Sequence, residues 1–376
     1  MTEIWVPYGP VEVSFDIKQE NLSQILEPQP PKMRQEEIDR SSELVAEDTL
    51  LLLSGTPGTQ RTLDSLLARN KGIRKILYPK NLGALARRKA QESAIEAEML
   101  NLENLADIGN VDGSPASVPS QIKETNKLLV VSSVRYDPLF GLSSAASDVV
   151  SLRNETKQLA FGRSSDELPC QPTKSNASWY STKILQACGS NVMEIIEKTT
   201  TGVLCVSYGD CESAHSKAMD YWTKNLTVQQ AKSERVIFGC GGFENDRTLS
   251  EALARSFFQV AESVAMQDSE SRVCMLAECS QGLGSEALLR FVTGRFEPRA
   301  KLDAVSYFDG LEVLLSFYKV QRDLQLTILT TLPQFYASKF DFKTINGARE
   351  APASLSPQGS RGKILVVTDA SSSYFT

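Results

Sequence analysis

One histidine, His215, is all the imidazole that 376 residues contain. Imidazole is the commonest general acid or base near neutral pH, so a chain this poor in it has little of that chemistry to offer. A catalytic thiol also needs a base to hold it as thiolate, and Cys279 is therefore not read as a nucleophile. His215 falls on the face of a segment that reads as a helix, where a structural role fits better than an acid–base one. The seven cysteines (Cys170, Cys188, Cys205, Cys211, Cys240, Cys274, Cys279) contain no CxxC pair and no zinc spacing. They fit reduced, mostly buried thiols of a cytoplasmic protein, and no metal site is expected from them.

Long apolar runs are missing too. None approaches the ~18 residues needed to span a bilayer. Met1-Thr2-Glu3-Ile4-Trp5 shows no basic stretch with an apolar one behind it, so neither a secretory leader nor a membrane partner is expected. Basic charge is in deficit: 40 Lys and Arg against 46 Asp and Glu leave a formal net charge of −6, which argues against a broad nucleic-acid-binding face. The densest basic run, Arg87-Arg88-Lys89, reads as a solvated helix face.

What the chain does have is a repeated alternation of short apolar runs and helical patterns. Trp5 to Ile17 alternates around Tyr8-Gly9-Pro10 and reads as a hairpin. Strands are expected at Thr49–Leu53, Ile73–Tyr78, Lys127–Val131, Val203–Ser207, Val236–Gly239, Val273–Ala277, Leu326–Leu329 and Ile364–Val367. Helices are expected at Leu63–Ala68, Ala84–Leu100, Thr182–Cys188, Val192–Ile196, Glu212–Lys224, Asp246–Ala265 and Ser285–Val292. Strands alternating with helices imply βαβ units and mainly parallel sheets flanked by helices, an α/β fold. The polar stretch from Lys224 to Ser233 sets the expected boundary between two domains, 1–230 and 231–376, with a cleft between them.

Ligands of open parallel sheets bind beyond the carboxyl ends of the strands, which singles out four loops. Ser54-Gly55-Thr56-Pro57-Gly58-Thr59 resembles a phosphate cradle but lacks the Gly-Lys-Ser/Thr of a P-loop, and reads as a tight strand-to-helix turn. A second loop follows Val131. Gly239-Cys240-Gly241-Gly242 precedes a helix with Asp246 as its expected cap, where glycines and free N–H groups could receive an anion. Glu278-Cys279-Ser280-Gln281-Gly282-Leu283-Gly284-Ser285-Glu286 ends a strand in polar groups and glycines before a helix capped by Ser285. It suits a carboxylate or phosphate, or else is only a turn.

These segments resemble the nickel-pincer lactate racemases. The likeness is carried by Gly241-Gly242-Phe243 through Ala254 and by Ala277-Glu278-Cys279-Ser280-Gln281-Gly282-Leu283-Gly284. Val6-Pro7-Tyr8-Gly9 with Ile25-Leu26-Glu27-Pro28, and Gly209-Asp210 followed by Ala214-His215, add to it. It is strongest from about Cys188 onward and weakest between Gly55 and Cys170. The resemblance implies two α/β domains and a lysine-tethered pyridinium nucleotide that holds nickel through carbon and sulfur. It also implies one histidine on the metal and two more as acid–base groups.

A chain with one histidine cannot supply that set. By the resemblance, Gly83 and Asp137 stand where the family has its acid–base histidines, Ser147 near the tethering lysine and Arg163 near the nickel ligand. Ser250, Glu251 and Ala254 replace a substrate-contacting Tyr, Gln and Lys, and the cofactor-loop Asp-x-x-Arg-Pro is absent around Ser54 to Gln60. The implied reading is a lactate racemase-like protein that has lost catalysis, with no cofactor and no metal, acting as a ligand-binding, regulatory or partner subunit. Its expected partner is a small anionic carboxylate or a paralogous subunit. Arg163, Gly241, Gly242, Asp246, Ser250, Gln281, Gly282 and Gly284 are its expected ligand-binding residues. The alternative is a racemase or epimerase of a small carboxylate that uses Asp137, Glu251 or Glu278 as acid–base groups, since burial can tune a carboxyl toward neutral pH.

Overall fold

The structure is a computed structural model in which residues 1–199, 201–229, 233–265, 271–298, 307–356 and 362–375 are described. The chain forms two compact units: Pro30–Lys224, and a discontinuous one of Met1–Gln29 with Asn225–Thr376. The first 29 residues, assigned by sequence to a domain of 1–230, thus sit with the C-terminal residues.

The physical reason lies in three strands. β1 (Thr2–Tyr8) and β2 (Val11–Ile17) make the expected hairpin, and β3 (Leu22–Leu26) follows. Alternation gives the hairpin one apolar face, Ile4, Val6, Phe15 and Ile17, which forms a buried cluster with Ile237, Cys274, Leu276 and Val366 of the C-terminal sheet. β3 then adds to that sheet's edge in parallel, Ile25 opposite Val366.

The Pro30–Lys224 unit begins with α1 (Gln35–Glu43), β4 (Thr49–Leu52), α2 (Pro57–Arg69), β5 (Lys75–Tyr78), α3 (Gly83–Ser93) and β6 (Glu96–Met99). The hairpin β7 (Leu105–Val111) and β8 (Ser114–Pro119) leads through α4 (Ser120–Glu124) to β9 (Leu128–Ser133). The short pair β10 (Tyr136–Asp137) and β11 (Gly141–Leu142) precedes α5 (Ala145–Ser151), α6 (Asn154–Ser164) and α7 (Asn176–Cys188). β12 (Asn191–Lys198), β13 (Gly202–Asp210) and α8 (Cys211–Asn225) complete it. The sheet order is β13-β12-β9-β4-β5-β6, parallel except for the β12–β13 pair.

Two expected helices need correction here. Val192–Ile196 is not helical but the middle of β12, buried throughout; a short apolar run gives no periodicity to separate the two states, and its β-branched residues favour the strand. α3 stops at Ser93, where Ala94 turns left-handed (φ 55°), and the remainder of the expected Ala84–Leu100 helix is β6.

The other unit continues with β14 (Thr227–Val228), β15 (Arg235–Gly239), α9 (Leu249–Ala252), α10 (Phe258–Ala265), β16 (Ser271–Leu276) and α11 (Glu286–Val292). Then come α12 (Leu311–Val320), β17 (Leu324–Leu329), α13 (Gln334–Lys339), β18 (Lys343–Ile345), α14 (Ala351–Ser354), β19 (Ile364–Val367) and β20 (Tyr374–Phe375). Its main sheet, β18-β17-β16-β15-β19-β3, is parallel throughout. The helix expected over Asp246–Ala265 is split by a π-helical turn at Leu253–Phe257. The α/β class with predominantly parallel sheets is the one the sequence pattern predicted. No helix among the described residues is long and apolar enough to cross a membrane.

Candidate functional site

Both Gly-rich loops lie at the carboxyl edge of the parallel sheet in the Met1–Gln29/Asn225–Thr376 unit, one after β15 and one after β16. A single side chain ties them together. Asp246 is fully buried, and its Oδ2 accepts the Gly9 N–H at 2.9 Å and the Glu278 N–H at 3.3 Å. Its main-chain carbonyl accepts the Cys279 N–H at 2.7 Å. Burial pushes its carboxyl above the ordinary range; the two N–H donors oppose this, and the charges of Glu278 and Glu251 reinforce it. Its Oδ1 is buried with no hydrogen-bond partner among the described residues. Asp246 is thus a brace joining hairpin, first loop and second loop, not the helix cap expected from sequence. The cap of α9 is Thr248, in a reciprocal box with Glu251.

The glycines separate into two kinds. Gly242 (φ 65°) must be glycine because a Cβ would fall 2.8 Å from the Gly9 carbonyl oxygen, and Gly284 because one would strike the Thr248 side chain. Gly241 similarly faces Ser371 and Asp369. These three serve close packing of the chain on itself, whereas the space beside Gly282 is open. Two non-glycine residues in the same loops are left-handed, Phe243 (φ 48°, 48% exposed) and Cys279 (φ 53°, 1% exposed). Such conformations persist only where surrounding contacts impose them.

Glu278 is half-buried against Gly9; its Oε2 accepts the Ser280 hydroxyl at 3.0 Å, and its main-chain carbonyl takes hydrogen bonds from Thr330 and Thr331. Burial pushes the Cys279 thiol up to about 12, the direction opposite to an activated nucleophile. Burial, then Cys279, Glu278 and Asp246, also raise the Tyr8 phenol. Glu251 accepts from Thr248 through one oxygen, and its other oxygen faces Arg247 at 3.2 Å and Arg255 at 3.7 Å. Ser250 and Gln281 each donate a main-chain N–H within this loop pair, to Leu283 and Arg247. Tyr8 was read only as part of a turn and of the resemblance, and Asp369 went unremarked in the sequence. The Tyr8-Gly9 turn was a signal for the first, while nothing local marked the second.

In the Pro30–Lys224 unit, Asp137 closes the β10–β11 turn, its Oδ1 accepting from the N–H groups of Leu139 (2.8 Å) and Phe140 (3.2 Å). Arg163 spends its fork within the unit: Nε to Asp112 Oδ2 at 3.2 Å, the terminal nitrogens to carbonyls of Leu159 and Asp112 and to Ser114, with the guanidinium 3.9 Å over the Tyr180 ring. Ser147 is fully buried in the box that caps α5. Gly83 opens α3. His215 is 9% exposed, its Nδ1 2.9 Å from Oε2 of the wholly buried Glu194. Glu194 Oε1 also accepts the Ala145 N–H at 2.9 Å.

At the polar edge beyond β4 and β9, sequence reading took Ser54 to Thr59 as a tight turn and did not single out Ser133 or Arg135. Ser54 Oγ is 2.9 Å from Ser133 Oγ and accepts the Thr59 hydroxyl at 3.2 Å, while Arg135, 29% exposed at its side chain, lies 3.5 Å from Ser133 Oγ and 3.7 Å from Asp148. The usable signal was the strand-end rule that already marked the loop after Val131. Among the described residues no group of three or more His, Cys, Asp or Glu side chains is placed to hold a metal ion.

The fold has a solved counterpart. The lactate racemase apoprotein from Thermoanaerobacterium thermosaccharolyticum matches with a TM-score of 0.76 at 15% identity, covering 100% of both chains. At that identity the likeness is one of fold. No family model and no curated protein matches the sequence.

Proposed function

We propose that this chain is a lactate racemase-like protein that no longer racemises lactate and acts as a ligand-binding, regulatory or partner subunit. The observation that carries the reading is the state of its only imidazole. A single imidazole cannot fill the three roles that the resemblance implies, and this one is buried with its Nδ1 2.9 Å from Glu194. The nickel-pincer nucleotide implied by the resemblance does not fit the residues at hand. Ser147 has no amine to form the tether, and an arginine stays protonated and cannot coordinate. The Arg163 guanidinium is moreover engaged by Asp112 and Ser114.

The same accounting weakens the carboxylate alternative at two of its three groups, since Asp137 is used by a turn and Glu251 by a helix cap and two arginines, which leaves it Glu278, half-buried beside Ser280. For a small carboxylate ligand, Arg135 is the more open cation. The test is to express the chain alongside cofactor-making enzymes, then measure nickel content and the ultraviolet–visible spectrum. The expected protein carries no stoichiometric nickel and no long-wavelength band. One nickel per chain together with that band would refute the proposal.

A further inference from the structure

The β1–β2 ribbon has two faces of opposite character. One is spent on the C-terminal sheet through Ile4, Val6, Phe15 and Ile17. Strand alternation puts Glu3, Trp5 and Pro7 of β1 on the other face, together with Glu12, Ser14 and Asp16 of β2. The register pairs Glu3 with Asp16, Trp5 with Ser14 and Pro7 with Glu12. Glu3, Glu12 and Asp16 are exposed, and so is 54% of Trp5. The three acids are all the charged residues of the two strands, which contain no Lys or Arg. Among the described residues none of them makes a hydrogen bond or an ion pair. Lys18, which follows the ribbon, and Arg349, in the turn packed against β2, do not pair with them. Like charges directly opposite one another destabilise a hairpin, yet Glu3 stands opposite Asp16, beside a large aromatic ring left in water.

We propose that this face docks a basic segment of a partner protein, with an arginine or lysine of that segment seated on the Trp5 ring. Diagonal neighbours on one face of an antiparallel pair lie roughly 7–8 Å apart. Trp5 therefore has Asp16 and Glu12 on its two diagonals and Glu3 along its own strand. A cation over the indole gains a cation–π contact with carboxylates close by, and the fork of a guanidinium can hold both oxygens of one. Charge complementarity steers such a segment to the face, and a tryptophan is the kind of anchor that carries most of the energy at an interface. A second copy meeting this face through its own would oppose like charge to like. The same charge repels nucleic acid and anionic lipid. The proposal does not rest on the loss of racemisation, since neither nickel nor lactate enters its test.

The experiment follows the fluorescence anisotropy of a labelled octa-arginine peptide titrated with the full chain at low and at physiological salt. Wild type is compared with Trp5→Ala and with the combined Glu3→Gln, Glu12→Gln, Asp16→Asn variant. A control removes three exposed carboxylates of the Pro30–Lys224 unit, as Glu36→Gln, Glu43→Gln, Glu124→Gln. Wild type should bind saturably, and more weakly at the higher salt. Trp5→Ala leaves the charge unchanged and should weaken binding about tenfold, as should the combined variant. The control should stay within about twofold of wild type, because charges beyond a Debye length are screened. An absence of saturable wild-type binding, or a Trp5→Ala variant that binds as tightly as wild type, would overturn the proposal. So would an equal loss in the control, which would reduce the effect to net charge. Should Trp5→Ala not fold, Trp5→Thr, a residue suited to an exposed strand position, decides by the same criteria.

Discussion

Replacing Glu194 by alanine should destabilise the Pro30–Lys224 unit by about 3–5 kcal/mol, the usual cost of leaving one member of a buried pair without its partner. Glu194 is fully buried and its two oxygens hold different elements, His215 on α8 and the Ala145 N–H at the start of α5. Its loss strands both. For a unit of this size the thermal midpoint should fall by roughly 10 °C. The pair also predicts a pH dependence. Burial by itself would lower the His215 pKa, but the charge and hydrogen bond of Glu194 outweigh it and hold the group above its ordinary value of 6.5. A base raised in the folded state adds stability that is complete below its unfolded pKa and is lost as the pH rises through the folded one. The advantage of wild type over Glu194→Gln should therefore be larger at about pH 6 than at about pH 9 in denaturant titrations. An alanine variant within about 1 kcal/mol of wild type would contradict the assignment.

The second large effect is expected at Asp246. Asp246→Ala removes the acceptor for two N–H groups, those of Gly9 and Glu278, at a cost of roughly 2–5 kcal/mol. Asp246→Asn keeps an acceptor oxygen without the buried charge and should stay within about 1 kcal/mol of wild type. The sign of its pH dependence is opposite to that of an ordinary salt-bridged carboxylate. Burial raises the Asp246 pKa from 3.8, so the wild type loses stability as the pH rises from 3.8 through the folded value, a loss the asparagine variant does not share. Hydrogen exchange should show Gly9 and residues 277–282 deprotected together in the alanine variant. Deprotection of one loop without the other would show that Asp246 does not brace them jointly.

The α/β class was legible because apolar runs and amphipathic patterns alternate along the chain. What could not be read was pairing across long sequence distances. The Glu197 contact with Gly58 spans 139 residues and that of Asp246 with Gly9 spans 237; no local propensity encodes either. The same limit assigned Met1–Gln29 to the wrong neighbours, because the hairpin's apolar face says that it needs a sheet but not which one. Asp246 was read as a cap from its place before a helix, yet Thr248, two residues on, has the Glu251 partner that makes a capping box. Residue type alone also could not show that Arg163 is engaged and Arg135 more open.

The central proposal is that a chain with a racemase-like fold lacks the groups that move protons on lactate. General acid–base groups contribute ~100- to 10,000-fold each, and racemisation needs one for each face of the substrate. The most direct measurement incubates purified protein, produced alongside the cofactor-making enzymes and supplied with nickel, with each lactate enantiomer in turn, and follows the opposite enantiomer by chiral separation. Conversion indistinguishable from a protein-free control in both directions is the predicted result. Sustained turnover in either direction would contradict it.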